Sequence, residues 1–304
     1  MVIALAVVWT VVSGRPSGEG SRRPTPSSSP LPTPSVSTAA PAPSLSPSAS
    51  PSASTPADSF VLATFNTLGS SHTSASGKEP ELASGADRTP GMIGYLTRHH
   101  VDVVGLQEFQ GPQSRAFRRL AGSTYGVWSA SNDTENAIAW RKDRWELVSG
   151  RTFAVPYFGG HTRRMPIVHL RDRTSGRQVV FVNVHNPADT RQFHAQGAFR
   201  SAAVAREIAL LRQLQRQGHP VFLTGDLNDK HDAFCGLTAH GLMVSASGGR
   251  TSPCRPPAGS GIDWIFGRGG FTFTDFTRDR RPRADGTSDH PIVTTRVVFG
   301  PSAG

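Results

Sequence analysis

From residue 58 onward the chain alternates short apolar runs with polar or glycine-rich breaks. FVLATF at 60–65 and VDVVGL at 101–106 are too short for helices and continuous enough for strands buried on both faces. Runs at 137–140, 145–155, 167–171, 179–184, 221–223, 262–266, 271–276 and 292–298 have the β-branched and aromatic content of further strands. Two segments repeat at helical spacing instead. In 88–100, Met92, Ile93 and Leu96 share a side, and in 191–217 the stripe is Phe199, Ala203, Ile208, Leu211 and Leu214. Many strands, few helices and no internal repeat predict two sheets packed face to face with helices outside.

The texture before residue 58 is different. Residues 2–12 (VIALAVVWTVV) are apolar but far short of the roughly 20 residues that span a bilayer. They fit the core of a secretory signal lacking a positive n-region, or the tail of a longer membrane segment. Residues 1–14 are therefore expected to be a signal peptide or a membrane-anchor remnant, making the protein secreted or cell-surface. Residues 15–57 are almost entirely Ser, Pro, Ala, Thr and Gly, which predicts a disordered spacer. Residues 58–304 carry one folded domain, with no further boundary.

Composition adds two points. Lys and Arg number 32 against 22 Asp and Glu, a formal +10. Such a balance suits a polyanionic partner such as nucleic acid or an anionic membrane surface, or else a solvated basic face, because the arginines are scattered. Cys235 and Cys254 are the only cysteines, and in an exported chain they are expected to form a disulfide. Zinc is not expected, since the other two ligands are missing.

Polar residues able to bind metal or move protons sit where the apolar runs end. Asn66 closes ATFN, Gln107 and Glu108 close VVGLQE, and His185 and Asn186 close VFVNVHN. Asp226 and Asn228 follow VFLTG, Asp263 lies in GIDWIF, and Asp289 and His290 lie in TSDHP just before the last strand. Alone, each piece reads as a turn residue, a solvated pair or a surface ion pair. Six in order, each at a strand end, describe one pocket assembled by a rigid sheet.

In that order, N…QE…H…GDxN…ID…SDH, residues 58–300 resemble the endonuclease/exonuclease/phosphatase superfamily, which includes pancreatic-type deoxyribonucleases, abasic-site endonucleases, inositol-polyphosphate phosphatases and sphingomyelinases. The resemblance implies a four-layer α/β sandwich of two mainly antiparallel sheets with outer helices. It implies that Asn66 and Glu108 hold a divalent metal, with Asp289 nearby. Asp226 and Asn228 would orient or activate the attacking water and contact the phosphate. His185 and His290 would bind or protonate phosphoryl oxygens, and Asp263 would pair with His290. Arg164 matches a phosphate-gripping arginine of the deoxyribonuclease branch, with Arg163 the alternative one residue away, and Asn186 would also bind substrate. Many members have Thr-His at the third motif, where this chain has Val184-His185-Asn186-Pro187. The acidic partner of that histidine is not evident; Glu135 is the one candidate.

The chemistry agrees with the resemblance. A phosphodiester is an anion that resists attack by hydroxide, and a hard cation held by carboxylate and amide oxygens neutralises it while leaving positions open. All-oxygen ligands favour Mg2+ or Mn2+. The leading expectation is a monomeric extracellular nuclease acting on nucleic acid, with envelope attachment through the N-terminal segment. A phosphatase or phospholipase acting on inositol phosphates or sphingomyelin is the alternative, and its lipid form would need an exposed apolar loop, for which Tyr157-Phe158-Gly159-Gly160 is the candidate. A non-catalytic surface binding protein on the same scaffold would need a core residue missing, and none is.

Overall fold

The computed structural model describes residues 58–300; the signal or anchor expected at 1–14 and the spacer at 15–57 lie outside them. In chain order the main elements are β1 (Ser59–Asn66), α1 (Gly85–Arg98), β2 (Val103–Gln107), α2 (Gly111–Ala121), β3 (Tyr125–Ala130), β4 (Asp133–Arg141), β5 (Trp145–Pro156), β6 (Thr162–Asp172) and β7 (Gln178–His185). They continue with α3 (Gly197–Gln215), β8 (Val221–Asp226), α4 (Asp232–Thr238), β9 (Val244–Ser245), β10 (Arg250–Thr251), β11 (Cys254–Arg255), β12 (Asp263–Arg268), β13 (Phe271–Asp279), α5 (Arg281–Ala284) and β14 (Ile292–Phe299).

Two six-stranded sheets result, in the orders β13-β14-β1-β2-β4-β3 and β5-β6-β7-β8-β12-β9. Each contains one parallel pair, β1 with β2 and β7 with β8, and the remaining pairs are antiparallel. A parallel pair needs a crossover, and α1 and α3 supply the two. Met92, Tyr95 and Leu96 of α1 pack with Phe65 and Val104 on the outer face of the first sheet. Ala203, Leu211 and Leu214 of α3 pack with Val180, Val182 and Leu223 on the outer face of the second. A third cluster, including Phe60, Leu62, Trp145, Phe181 and Phe222, lies between the sheets. The four-layer α/β sandwich is therefore the observed fold.

The layer between the sheets changes character along its length. At one end Phe60 meets Trp145, Phe181 and Phe222 edge-on, with centroids 5.2, 5.8 and 5.6 Å away. Further along the strands the inward positions turn polar: Thr64 then Asn66 on β1, Gln107 on β2, Asn183 then His185 on β7, Thr224 then Asp226 on β8. The buried polar groups bond across the gap. Gln107 Nε2 donates to Asn183 Oδ1 at 2.6 Å and to Thr64 Oγ1 at 3.0 Å, and Asn183 Nδ2 donates to the Leu106 carbonyl at 2.8 Å. Gly105 makes room for this contact, since a Cβ there would lie 2.0 Å from Thr224 Oγ1 and 2.4 Å from Asn183 Oδ1.

Several elements differ from the sequence expectation. The long helix starts at Gly197, and its buried stripe is Ala203, Val204, Glu207, Leu210, Leu211 and Leu214, with Phe199 and Ile208 only half-buried. The short charged helix α2, the strand β3 and the helix α4 were not anticipated, because each buries a narrow face over few residues. The expected disulfide is present: Cys235 of α4 is bonded to Cys254 of β11. On the chain-entropy argument a bridge of this span stabilises by about 3 kcal/mol.

The crowding at Gly105 yields a test. Gly105→Ala should destabilise the domain by about 1–3 kcal/mol, typical of overpacking a filled core. A urea denaturation midpoint equal to that of the wild type would show that the inter-sheet layer is looser than described.

Candidate active site

Both parallel pairs terminate at the same end of the sandwich. Asn66 is in register with Gln107, His185 with Asp226, and Asp226 with Asp263 across the next pair. Just beyond these ends, Glu108 and Asn228 adopt the left-handed backbone region (φ 54° and 49°), a conformation costly for non-glycine residues and common at functional turns. Asn66 joins the two sheets here. Its Nδ2 donates to Glu108 Oε1 and to Asp226 Oδ2, each at 3.1 Å, while its Oδ1 accepts the Leu68 N–H at 3.1 Å. Asn66 thus positions two carboxylates, and its own oxygen is already engaged.

Glu108 also accepts the Gly69 N–H at 2.8 Å and pairs with His72 at 3.0 Å. Burial opposes its charge, but the His72 contact and the Gly69 hydrogen bond outweigh burial and hold its carboxyl well below the usual range. Asp289 pairs through Oδ2 with Lys78 Nζ at 2.8 Å, and its Oδ1 is buried without a partner among the described residues. An ionised glutamate beside an aspartate with an orphaned oxygen is a hard-oxygen donor set, which fits Mg2+ or Mn2+.

On the other side, His290 Nδ1 lies 2.9 Å from Asp263 Oδ1 and its Nε2 lies 3.7 Å from Asp226 Oδ2. Burial works against an imidazolium here, but Asp263 and Asp226 overcome it and raise His290 to about 10. His185 is buried with Nε2 3.8 Å from Asp226 Oδ2 and Nδ1 3.5 Å from the Tyr157 hydroxyl. Its pKa moves the other way: burial lowers it, against the pull of Asp226 and Glu108. Asp226 stands between the two rings with its carboxyl raised, by burial first and also by Asp263. Asp226, Asp263 and His290 lie close enough to hold an ion. The tight Asp263–His290 pair favours the protonated imidazole in the metal-free protein, however. These three therefore read better as a proton-transfer group, with two histidines held in opposite charge states.

Three expected residues are placed differently. Arg164 is exposed, and its guanidinium contacts Thr152 Oγ1 at 3.4 Å. Strand alternation turns Arg163 the other way, onto Asp133 at 2.9 Å, Glu135 at 2.5 Å and the ring of Tyr157 at 4.8 Å. Glu135 therefore serves Arg163, and the partner nearest to His185 Nδ1 is Tyr157. Asn186 is fully buried, its side chain lies beside Glu207, and its backbone N–H donates to the Asp226 carbonyl at 2.9 Å. Its role is to hold the turn: Asn228 Nδ2 donates to the Asn186 carbonyl at 2.8 Å, and Asn228 N–H caps Asp226 Oδ1 at 3.0 Å.

Other site residues carry no strand-end signal. Arg88 of α1 is buried and donates to the carbonyls of Thr67, Leu68, Ala83 and Thr287, tying the loop after β1 to the loop that carries Asp289. His72 and Lys78 reach the site from the same loop after β1. Among the described residues no helix is long and apolar enough to cross a membrane.

The Endonuclease/Exonuclease/phosphatase family profile matches residues 63–290. The chain belongs to this family. Its members are hydrolases of phosphate esters that depend on a divalent metal. No curated protein sequence matches the chain. Among solved structures, an endonuclease/exonuclease/phosphatase family protein from Bacteroides thetaiotaomicron is 21% identical, covers 81% of this chain and 99% of its own, and superposes with a TM-score of 0.61. A mannosyl-6-phosphatase from the same species is 20% identical, with 79% and 100% covered and a TM-score of 0.58. D. rerio TDP2 complexed with single strand DNA product is 19% identical, with 79% and 99% covered and a TM-score of 0.58. At these identities the likeness carries the fold.

The Asp263–His290 pair has a stability signature. His290 is raised from 6.5 in the unfolded chain to about 10 in the folded one, so its stabilisation is full below pH 6.5 and is lost as pH rises through about 10. Asp263→Asn removes the carboxylate. In chelator, the stability difference between wild type and Asp263→Asn should be largest near pH 6 and shrink toward pH 10. A difference independent of pH in urea titrations would remove the ion pair from the account.

Proposed function

We propose that this family member is an exported phosphodiesterase, dependent on Mg2+ or Mn2+, whose substrate is nucleic acid. The observation that carries the reading is the paired arrangement at the strand ends: ionised Glu108 and half-orphaned Asp289 on one side, and the Asp226–His290–Asp263 group on the other. Glu108 and Asp289 would hold the divalent cation, which when bound neutralises charge on the phosphoryl group. Asp226, with its raised carboxyl between two imidazoles, accepts the proton of the attacking water. His290, kept as an imidazolium by Asp263, donates toward the charge that develops on phosphoryl oxygen. His185 is held uncharged by burial and contributes a neutral ring against the same oxygens. Asn228 has its amide nitrogen committed to the Asn186 carbonyl and keeps its oxygen for the water.

Three observations support nucleic acid and export. The chain carries a formal +10, which favours a polyanion. One similar structure holds a single-strand DNA product. The Cys235–Cys254 bond suits an oxidising compartment, in keeping with residues 1–14 as a signal or anchor, 15–57 as a spacer and 58–304 as the catalytic domain. The lipid alternative loses its loop: Tyr157 is buried, and Phe158 is stacked on Phe193 at 5.0 Å.

The purified chain should nick plasmid DNA or degrade RNA with Mg2+ or Mn2+ and stop in EDTA. Hydrolysis confined to sphingomyelin, a phosphoinositide or a sugar monophosphate would overturn the nucleic-acid reading, and full activity in EDTA would overturn the metal. Glu108→Ala should cost at least about a hundredfold in turnover, in the range seen when a charge-stabilising group is removed. Mass spectrometry of non-reduced protein from the culture medium should show the Cys235 and Cys254 peptides linked, and two free thiols would argue against export.

A further inference from the structure

Loop 67–84 between β1 and α1 brings an imidazole and an ammonium to the metal-side carboxylates. His72 Nε2 lies 3.0 Å from Glu108 Oε2 and Lys78 Nζ lies 2.8 Å from Asp289 Oδ2. Their side chains remain 36% and 47% exposed, whereas those of His290 and Asp263 on the proton-transfer side are 16% and 3% exposed. One half of the carboxylate cluster thus has a buried, permanent partner. The other half meets side chains that are partly open to solvent and can turn outward without repacking.

The loop backbone is held independently of these contacts. Ser70 N–H and Oγ donate to Gln113 Oε1 at 3.1 and 3.0 Å, and Ser71 N–H donates to Gln110 Oε1 at 2.8 Å. The loop also folds on itself: Glu79 N–H donates to the His72 carbonyl at 2.9 Å, which sets Lys78 beside His72. Gly77 is required for that fold, since a Cβ there would lie 2.1 Å from the His72 carbonyl oxygen. A braced loop therefore carries two adjacent nitrogen donors, the His72 ring and the Lys78 ammonium, at the rim of the site. Nearby Arg88 is not available for the same task, because its guanidinium is spent on four backbone carbonyls.

We propose that His72 and Lys78 form a phosphate-binding site for a non-scissile phosphate of the substrate, released for that role when a divalent cation takes over Glu108 and Asp289. The proposal rests on the phosphodiesterase reading and adds a specificity element to it: a substrate with a flanking phosphate engages both side chains, and a minimal diester engages neither. It implies competition as well. With the two side chains gone, Asp289 loses its Lys78 partner, Glu108 keeps only the Asn66 and Gly69 hydrogen bonds, and a divalent ion meets less competition.

The test uses the full chain and the double variant His72→Gln/Lys78→Gln, with two readouts that need no turnover. Isothermal titration with Mn2+ should give a several-fold lower Kd in the variant; an unchanged or higher Kd would overturn the competition. Anisotropy with fluorescent oligothymidylate in Ca2+ should show at least about tenfold weaker binding, and a log Kd against log salt slope smaller by about 1.4, the value for two lost single-strand phosphate contacts. Equal affinity and equal slope would overturn the phosphate site. Failure of the underlying reading shows separately, as a wild type that neither binds nor cleaves oligonucleotide. In that case tripolyphosphate titrated onto the Mn2+-loaded chains is the probe, and equal affinity in wild type and variant overturns the proposal.

Discussion

Four carboxylates, Glu108, Asp226, Asp263 and Asp289, converge at one end of the sandwich, where water is largely excluded, and their mutual repulsion sets the terms for everything around them. Like charges in a low-dielectric site must be paired or must take up protons. The protein uses both solutions. Asp263 and Asp226 share the charge of His290, and Asp226 also has its carboxyl raised. Glu108 and Asp289 stay available to cations, with His72, Lys78 and the Asn66 amide as their contacts in the protein itself. A site that divides its anions in this way can bind a metal on one side and move a proton on the other.

The fold makes that convergence possible through a change of character in the layer between the sheets. Aromatic contacts around Phe60 hold the far end together, and the near end is a bonded polar network around Gln107, Asn183 and Thr224. The two parallel pairs, each with its crossover helix, aim four strand ends at one point from two sheets. Because strands are stiff and their side chains alternate, residues more than a hundred positions apart, such as Asn66 and Asp226, meet at hydrogen-bond distance.

The legible part of this protein was what periodicity and strand ends encode. The apolar runs predicted most strands of both sheets, and polar residues at their ends marked Asn66, Glu108, His185, Asp226, Asp263 and Asp289–His290, which the structure gathers. Roles that depend on the direction of a side chain were not legible. Arg164 and Arg163 differ by one position, and only the pleat decides that Arg163 is the one that meets Asp133 and Glu135. Asn186 sits next to His185 in sequence yet is turned to the opposite side of the strand, under α3. Loop residues left no signal, since His72, Lys78 and Arg88 belong to no apolar run and act through contacts formed only once the loop is folded. The disulfide was legible because two cysteines allow a single pairing.

The central claim is that the carboxylate cluster with its histidine pair performs phosphodiester hydrolysis, with Asp263 and His290 acting as one unit. A double-mutant cycle on turnover at saturating Mg2+ tests it most directly. The account predicts that His290→Ala and Asp263→Ala each cut turnover at least about a hundredfold, and that the double variant is little worse than either single one. Folded variants that all keep near wild-type turnover would contradict it.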